Sequence, residues 1–180
     1  MIKVAIVGNI ASGKSTAEKI LEDNGYKVYD TDKIAHKILA LNEDVKEIFG
    51  TNNRQEISKI VFSNQEKLKK LETIIHPLVK NELEKIFREE DCGMIFVSVP
   101  QLFETGFNTM FDRIIYITAD ENLRKKRLIE RNSFTSEEAQ KRINAQIEGD
   151  KKEKSDFVIE NNSSIEELKN QLLNILKNLS

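Results

Sequence analysis

Five short runs rich in apolar and β-branched residues punctuate the chain: IKVAIV (2–7), YKVYD (26–30), MIFVSV (94–99), RIIYIT (113–118) and DFVIE (156–160). Runs of this length with little polar alternation predict strands covered on both faces, as in a parallel sheet. Between them the apolar positions recur every three or four residues. Ala17, Ile20 and Leu21 share one side of a helix that Asn24 and Gly25 stop. Ile34, Ile38, Leu41, Val45 and Ile48 predict a single helix over residues 32–49, ended by a turn cluster at 50–53. Ser63 with Glu66 has capping-box spacing ahead of Leu68, Leu71, Ile74 and Ile75, and Pro77 is placed to open a further helix through Leu83, Ile86 and Phe87. Asp120 is placed to cap a basic helix that reaches Arg131, and Thr135 with Glu138 makes a second capping box that opens EEAQKRINAQI. Ser164 and Glu167 cap the last helix, which turns Ile165, Leu168, Leu172, Ile175 and Leu179 to one side.

Strands interleaved with helices predict an α/β fold, a five-stranded parallel sheet flanked by helices. One all-helical insertion falls between the second and third strands and another between the fourth and fifth. Ligands of such sheets sit beyond the carboxyl ends of the strands, so site residues are expected just after Val7, Tyr29, Val99 and Thr118.

Composition narrows this mainly by exclusion. A net charge of -2 and a pI near 5.9 provide no broad basic field, which argues against a nucleic-acid binder. The lone Cys92 excludes an internal disulfide or a cysteine-based zinc site and fits a reducing compartment. No apolar run approaches the ~20 residues of a membrane span, and the first strand begins at once, without a signal-peptide pattern. A cytoplasmic protein is expected, without membrane attachment, as a monomer or weak homo-oligomer.

The chemistry enters at GNIASGKST. Gly8, Gly13, Lys14 and Ser15 satisfy GxxxxGK[ST] between a strand and a helix, the setting in which backbone N–H groups and a helix N-terminus hold phosphates. Ala11, Ser12 and Gly13 complete the cradle, Lys14 reaches for the β and γ oxygens, Ser15 offers a hydroxyl to Mg²⁺, and Thr16 either approaches the α-phosphate or only satisfies the helix N-terminus. No NKxD or DxxG string occurs, which argues against a GTPase switch, and the third strand ends in VSVP rather than the acid of a motor ATPase. Asp30 and Asp32 follow the second strand. A carboxylate there suits the orientation and deprotonation of an acceptor hydroxyl, although Asp32 is equally placed to cap the helix from Lys33. Arg124, Arg127 and Arg131 share one helical face, a self-repelling stripe that suits triphosphate oxygens or, alternatively, a solvated ion-pair surface with nearby glutamates. Residues 120–154 then read as a lid that excludes water. In this reading Lys151, Lys152 and Lys154 are individually solvated or belong to the same closing surface.

Taken in order, GNIASGKST, VYDTDKIAH, NRQEISKIVF, IIHPLV, VPQLFETG, RLIERN with INAQ, and SDFVIENN resemble the dephospho-CoA kinase family over nearly the whole chain. The resemblance implies a P-loop NTPase fold in one domain, residues 1–180. Its core is 1–31, 92–119 and 155–180, its helical acceptor-binding subdomain is 32–91 and its lid is 120–154. It implies ATP and 3′-dephospho-CoA as substrates, Mg²⁺ as cofactor and coenzyme A as product. It further implies Asp32 as base, Lys14 and Arg127 as catalytic groups, Arg131 on the ATP, and Arg54, His76, Pro77 and Glu104 on the acceptor side. Read from the residues alone, His76 is also a candidate packed or capping histidine, and Glu104 a candidate partner for a neighbouring arginine. Departures from the family pattern are Ala11 at a usual glycine, His36 at a usual arginine, Gln101 at a usual leucine and Arg124 at a usual glutamine. Rival readings are a kinase of another small acceptor, of nucleoside monophosphate or shikimate type, and a non-catalytic nucleotide-binding regulator.

Overall fold

The computed structural model describes residues 1–146 and 149–179, so Ile147, at the end of the expected EEAQKRINAQI helix, lies outside the described residues. The chain forms two compact units, one of residues 1–29 with 93–180 and one of residues 30–92. No helix among the described residues is long and apolar enough to cross a membrane.

The first unit is built on a sheet of β1 (Ile2–Gly8), β2 (Lys27–Asp30), β3 (Met94–Ser98), β4 (Arg113–Thr118) and β5 (Phe157–Glu160), in the order β2-β3-β1-β4-β5. The recorded pairings of β1 with β3 and β4, and of β4 with β5, are parallel. The central strand is apolar and buried from Val4 to Val7, where both its faces are covered. Val4 and Ile6 join Phe96, Ile115, Ile117 and Ile159 in one cluster with α1 (Lys14–Asp23) and α8 (Ile165–Leu179), while Ala5 and Val7 are also fully buried. At about 1.5–3 kcal/mol for each large apolar side chain buried, this cluster is the main anchor of the site above it. Register sets Gly8 beside Ile117 and Thr118 beside Glu160, so the chain leaves β1, β4 and β5 at one end of the sheet. The helices α6 (Glu121–Asn132) and α7 (Ser136–Asn144) lie between β4 and β5, and the expected Thr135–Glu138 capping box opens α7.

The second unit packs α2 (Thr31–Leu41), α3 (Glu43–Phe49), α4 (Arg54–Phe62) and α5 (Gln65–Glu89), with α5 against both α2 and α4. Here three sequence readings are corrected. The single helix expected over 32–49 is broken at Asn42, whose extended backbone and Oδ1 acceptor for the Val45 N–H start a new helix. Ser63 closes α4, and the cap of α5 is Asn64, which accepts from the Lys67 N–H at 2.9 Å. Pro77 opens nothing: it lies inside the 25-residue α5, whose buried Ile75, Val79 and Leu83 continue on either side of it. In the last helix Ile165 is exposed, and Leu176 joins the buried face instead.

Candidate active site

The loop after β1 is shaped by close approach. Gly13 has φ 101°, and a Cβ there would lie 2.1 Å from Asn161 Nδ2; at Gly8 a Cβ would lie 2.7 Å from Ser12 Oγ. Both positions therefore require glycine. The Asn161 amide donates to the Ser12 carbonyl at 2.8 Å, and its own backbone N–H donates to Thr118 O at 2.8 Å, which ties the loop to β4. Arg127 completes the support, donating to Asn161 O at 2.9 Å and to Ala11 O at 3.3 Å. Partial burial pushes this guanidinium below its ordinary pKa.

Helix α1 begins at this loop with no side-chain cap. Among the described residues no backbone acceptor takes the N–H groups of Gly13, Lys14 or Ser15, whereas the Thr16 and Ala17 N–H groups turn back to Gly13 O at 3.0 Å. Three uncapped donors at the positive end of a ten-residue helix make an anion cradle. The exposed Ser15 hydroxyl in the same turn is suited to a cation held jointly with phosphate oxygens and water. No cluster of His, Cys, Asp or Glu among the described residues offers a separate metal cage.

The arginine stripe divides into three surroundings. Arg124 is buried, Arg127 holds the loop, and Arg131 is exposed and donates to Asn132 Oδ1 at 2.9 Å. Around them Leu128, Ala139 and Ile143 form a small apolar cluster against which Ile10, Ala11 and Phe134 pack, and Gln146 Oε1 accepts the Ile10 N–H at 2.6 Å. Glu104 pairs with a lysine rather than an arginine: Lys151 Nζ lies 3.0 Å away. Lys151 is thus no solvated side chain, being only 11% exposed, while Lys152 pairs with Glu160 and Lys154 with Asp150 at the surface. Asp120 starts α6 without capping it by its side chain, and exchanges hydrogen bonds with Asn162 instead.

In the second unit the cap of α2 is Asp30, whose Oδ1 accepts from the N–H groups of Asp32, at 2.8 Å, and Lys33, at 3.4 Å. Asp32, exposed in the first turn, is therefore not the helix cap that its position allowed. His76 is half-buried in mid-helix, which removes the capping alternative for it as well. Arg54 opens α4 beside an open recess of about 700 Å³ lined by Asn53, Arg54, Gln55, Ser58 and Lys59.

Sequence reasoning missed Asn161, Gln146 and the acid that meets Lys14, Glu18, at 2.7 Å. One signal for Asn161 was available. It follows the fifth strand, and the rule of strand carboxyl ends applies to β5 as much as to the other four.

A phosphate cradle between the first strand and first helix of a parallel sheet in this order, with a helical pair packed on the loop, defines the P-loop kinase class. Residues 2–167 match the family model described as Dephospho-CoA kinase. The chain is 38% identical to a dephospho-CoA kinase of Fusobacterium nucleatum over 92% of each chain. Its structure matches dephospho-CoA kinase from Campylobacter jejuni with TM-score 0.74 and 30% identity, covering 99% of this chain and 96% of that one. A Thermus thermophilus crystal structure matches with TM-score 0.87 and 32% identity, over 99% and 98%. The chain belongs to the dephospho-CoA kinase family.

Proposed function

We propose that this protein transfers the γ-phosphoryl group of ATP to the ribose 3′-hydroxyl of 3′-dephospho-CoA, yielding coenzyme A and ADP. The observation that carries this reading is the family match over residues 2–167, because a phosphate loop alone does not select an acceptor. In this reading the N–H groups of Gly13, Lys14 and Ser15 take the phosphates of ATP, with Ala11, Ser12 and Thr16 completing the cradle. Lys14 adds its charge at the β and γ oxygens. Ser15 would hold Mg²⁺ together with the phosphates, and the ion would supply neutralisation of charge on those oxygens. Arg127 secures the loop from behind and reaches toward the same oxygens, with Arg131 at its rim.

Asp32 accepts the proton of the attacking 3′-hydroxyl. Because the transition state of phosphoryl transfer is loose, positioning contributes more than the base itself. Arg54, beside its open recess, meets anionic parts of the acceptor, and His76 and Glu104 orient its polar groups. A working location in the cytoplasm, as a monomer or weak homo-oligomer, accompanies this reading.

The test is an acceptor panel. Purified protein with ATP and Mg²⁺ is offered 3′-dephospho-CoA, AMP and shikimate, and products are identified by mass spectrometry. Coenzyme A alone is expected. Phosphorylation of AMP or shikimate without coenzyme A formation overturns the acceptor assignment, and ATP binding with no transfer to any acceptor overturns the enzymatic one.

A further inference from the structure

The lysine expected to grip phosphate already has an occupant. Lys14 Nζ lies 2.7 Å from Glu18 Oε1, one turn further along α1, and also bonds Ser98 Oγ at the end of β3. This pair differs from the other lysine–acid pairs one helical turn apart. Lys19 with Asp23 and Lys126 with Glu130 stand at the surface, where such contacts contribute little. Lys14 and Glu18 keep only 17% and 14% of their side-chain exposure, and Ser98 is fully buried. In that sheltered position charge–charge interactions are strong, and a cation left without its anion is costly.

We propose that Glu18 is the resident counter-ion of Lys14 and holds down the affinity of the phosphate loop for polyphosphates. The inference rests on the phosphate-binding reading of that loop. With the loop empty, Glu18 neutralises the lysine. An arriving ligand must draw Lys14 away from Glu18, or share it, while placing its own negative charge near a carboxylate on the same helix. A triphosphate and a diphosphate both meet this cost, and the repulsion from Glu18 grows with the charge the ligand brings. Glu18 therefore lowers the affinity for ATP and ADP alike, and favours release of ADP once the γ-phosphate has gone.

Calorimetric titration of the full chain with ATP, ADP and inorganic diphosphate tests this, in chelator-treated buffer at fixed ionic strength so that no divalent ion intervenes. Glu18→Gln, which keeps the shape and removes the charge, is expected to bind all three ligands more tightly. The gain should be about tenfold or more for ATP and about fivefold for ADP and diphosphate, because the repulsion that is removed grows with ligand charge. Glu18→Ala should move affinities the same way. In turnover, inhibition by ADP should strengthen in both variants.

Misfolding does not produce a gain of affinity, so the expected result is not a trivial one. Unchanged or weaker binding in both variants, with helix content intact by circular dichroism, overturns the proposal. Tightening that is larger for ADP and diphosphate than for ATP overturns the electrostatic account. If the unmodified protein binds neither ATP nor diphosphate, the phosphate-loop reading itself fails, an outcome distinct from the other two.

Discussion

Gly13 and Asn53 both stand at the start of a helix, and the two starts are built in opposite ways. At Gly13 no side chain caps α1, the first amides have no backbone acceptor among the described residues, and support comes from behind through Asn161 and Arg127. At Asn53 the side chain accepts from the Gln55 and Glu56 N–H groups, so the backbone of α4 is satisfied and what faces the recess is side chain, Arg54 and Lys59 among them. Helix α2 starts in the same satisfied way, on Asp30. The first kind of site binds with backbone, and its chemistry is insensitive to most side-chain identities; the second depends on which side chains project. In a kinase the first suits the invariant donor, and the second suits an acceptor that differs from one enzyme to the next.

The largest test of this division is Lys14→Ala. Removing the lysine charge from the backbone site is expected to lower turnover on the order of 10³-fold and to weaken ATP binding as well, measured by steady-state kinetics and calorimetry. Activity within tenfold of the unmodified protein would show that backbone alone suffices. Asp32→Asn sharpens the contrast from the other unit. Turnover should fall by about 10²- to 10⁴-fold, the range of general-base catalysis, while ATP affinity stays put. Unchanged turnover would leave Asp32 with no part in the chemistry, since Asp30 already caps α2.

Asn161→Ala probes the support behind the loop. It deletes the donor to Ser12 O in a buried setting, a loss of about 1–3 kcal/mol that should raise the ATP dissociation constant about tenfold or more. Acceptor KM should move much less. A variant in which acceptor KM rises as much as that of ATP would contradict the separation of the two grips.

The same division explains what could be read from sequence. A backbone site needs glycine where φ is positive or atoms crowd, and a strand before and a helix after it; Gly8, Gly13 and the apolar runs around them signal all of this. The interior strand β4 was expected at 113–118 and occupies Arg113–Thr118. The helical unit was less legible because apolar spacing does not report caps. Leu41 and Ile48 maintain a helical period across Asn42, yet both side chains are exposed, so the pattern counted residues that bury nothing. Pro77 was read as a start because its missing N–H costs nothing there. In α5 it costs one hydrogen bond, which the buried Ile75, Val79 and Leu83 outweigh. The partners of Lys14 and Glu104 were illegible for a further reason: which acid meets which base depends on rotamers and turns that spacing does not encode.

The smallest expected effect falls on Ala11, an alanine inside the phosphate loop. Its φ of 59° is left-handed, which costs a non-glycine residue about 1–2 kcal/mol. Against that, its methyl group packs on the cluster of Leu128, Ala139 and Ile143, worth about 0.8 kcal/mol if fully buried. Alanine also restricts the unfolded chain, worth about 0.4–1 kcal/mol relative to glycine. These terms nearly cancel, so Ala11→Gly should shift the melting temperature by less than about 4 °C in either direction. Ala11→Val should be clearly worse, because a branched side chain tolerates that φ poorly while adding volume beside the same cluster. If the glycine variant instead melts well below the unmodified protein, the methyl contact between loop and helical pair outweighs the backbone strain. The alanine would then strengthen the fastening of α6 and α7 to the phosphate loop.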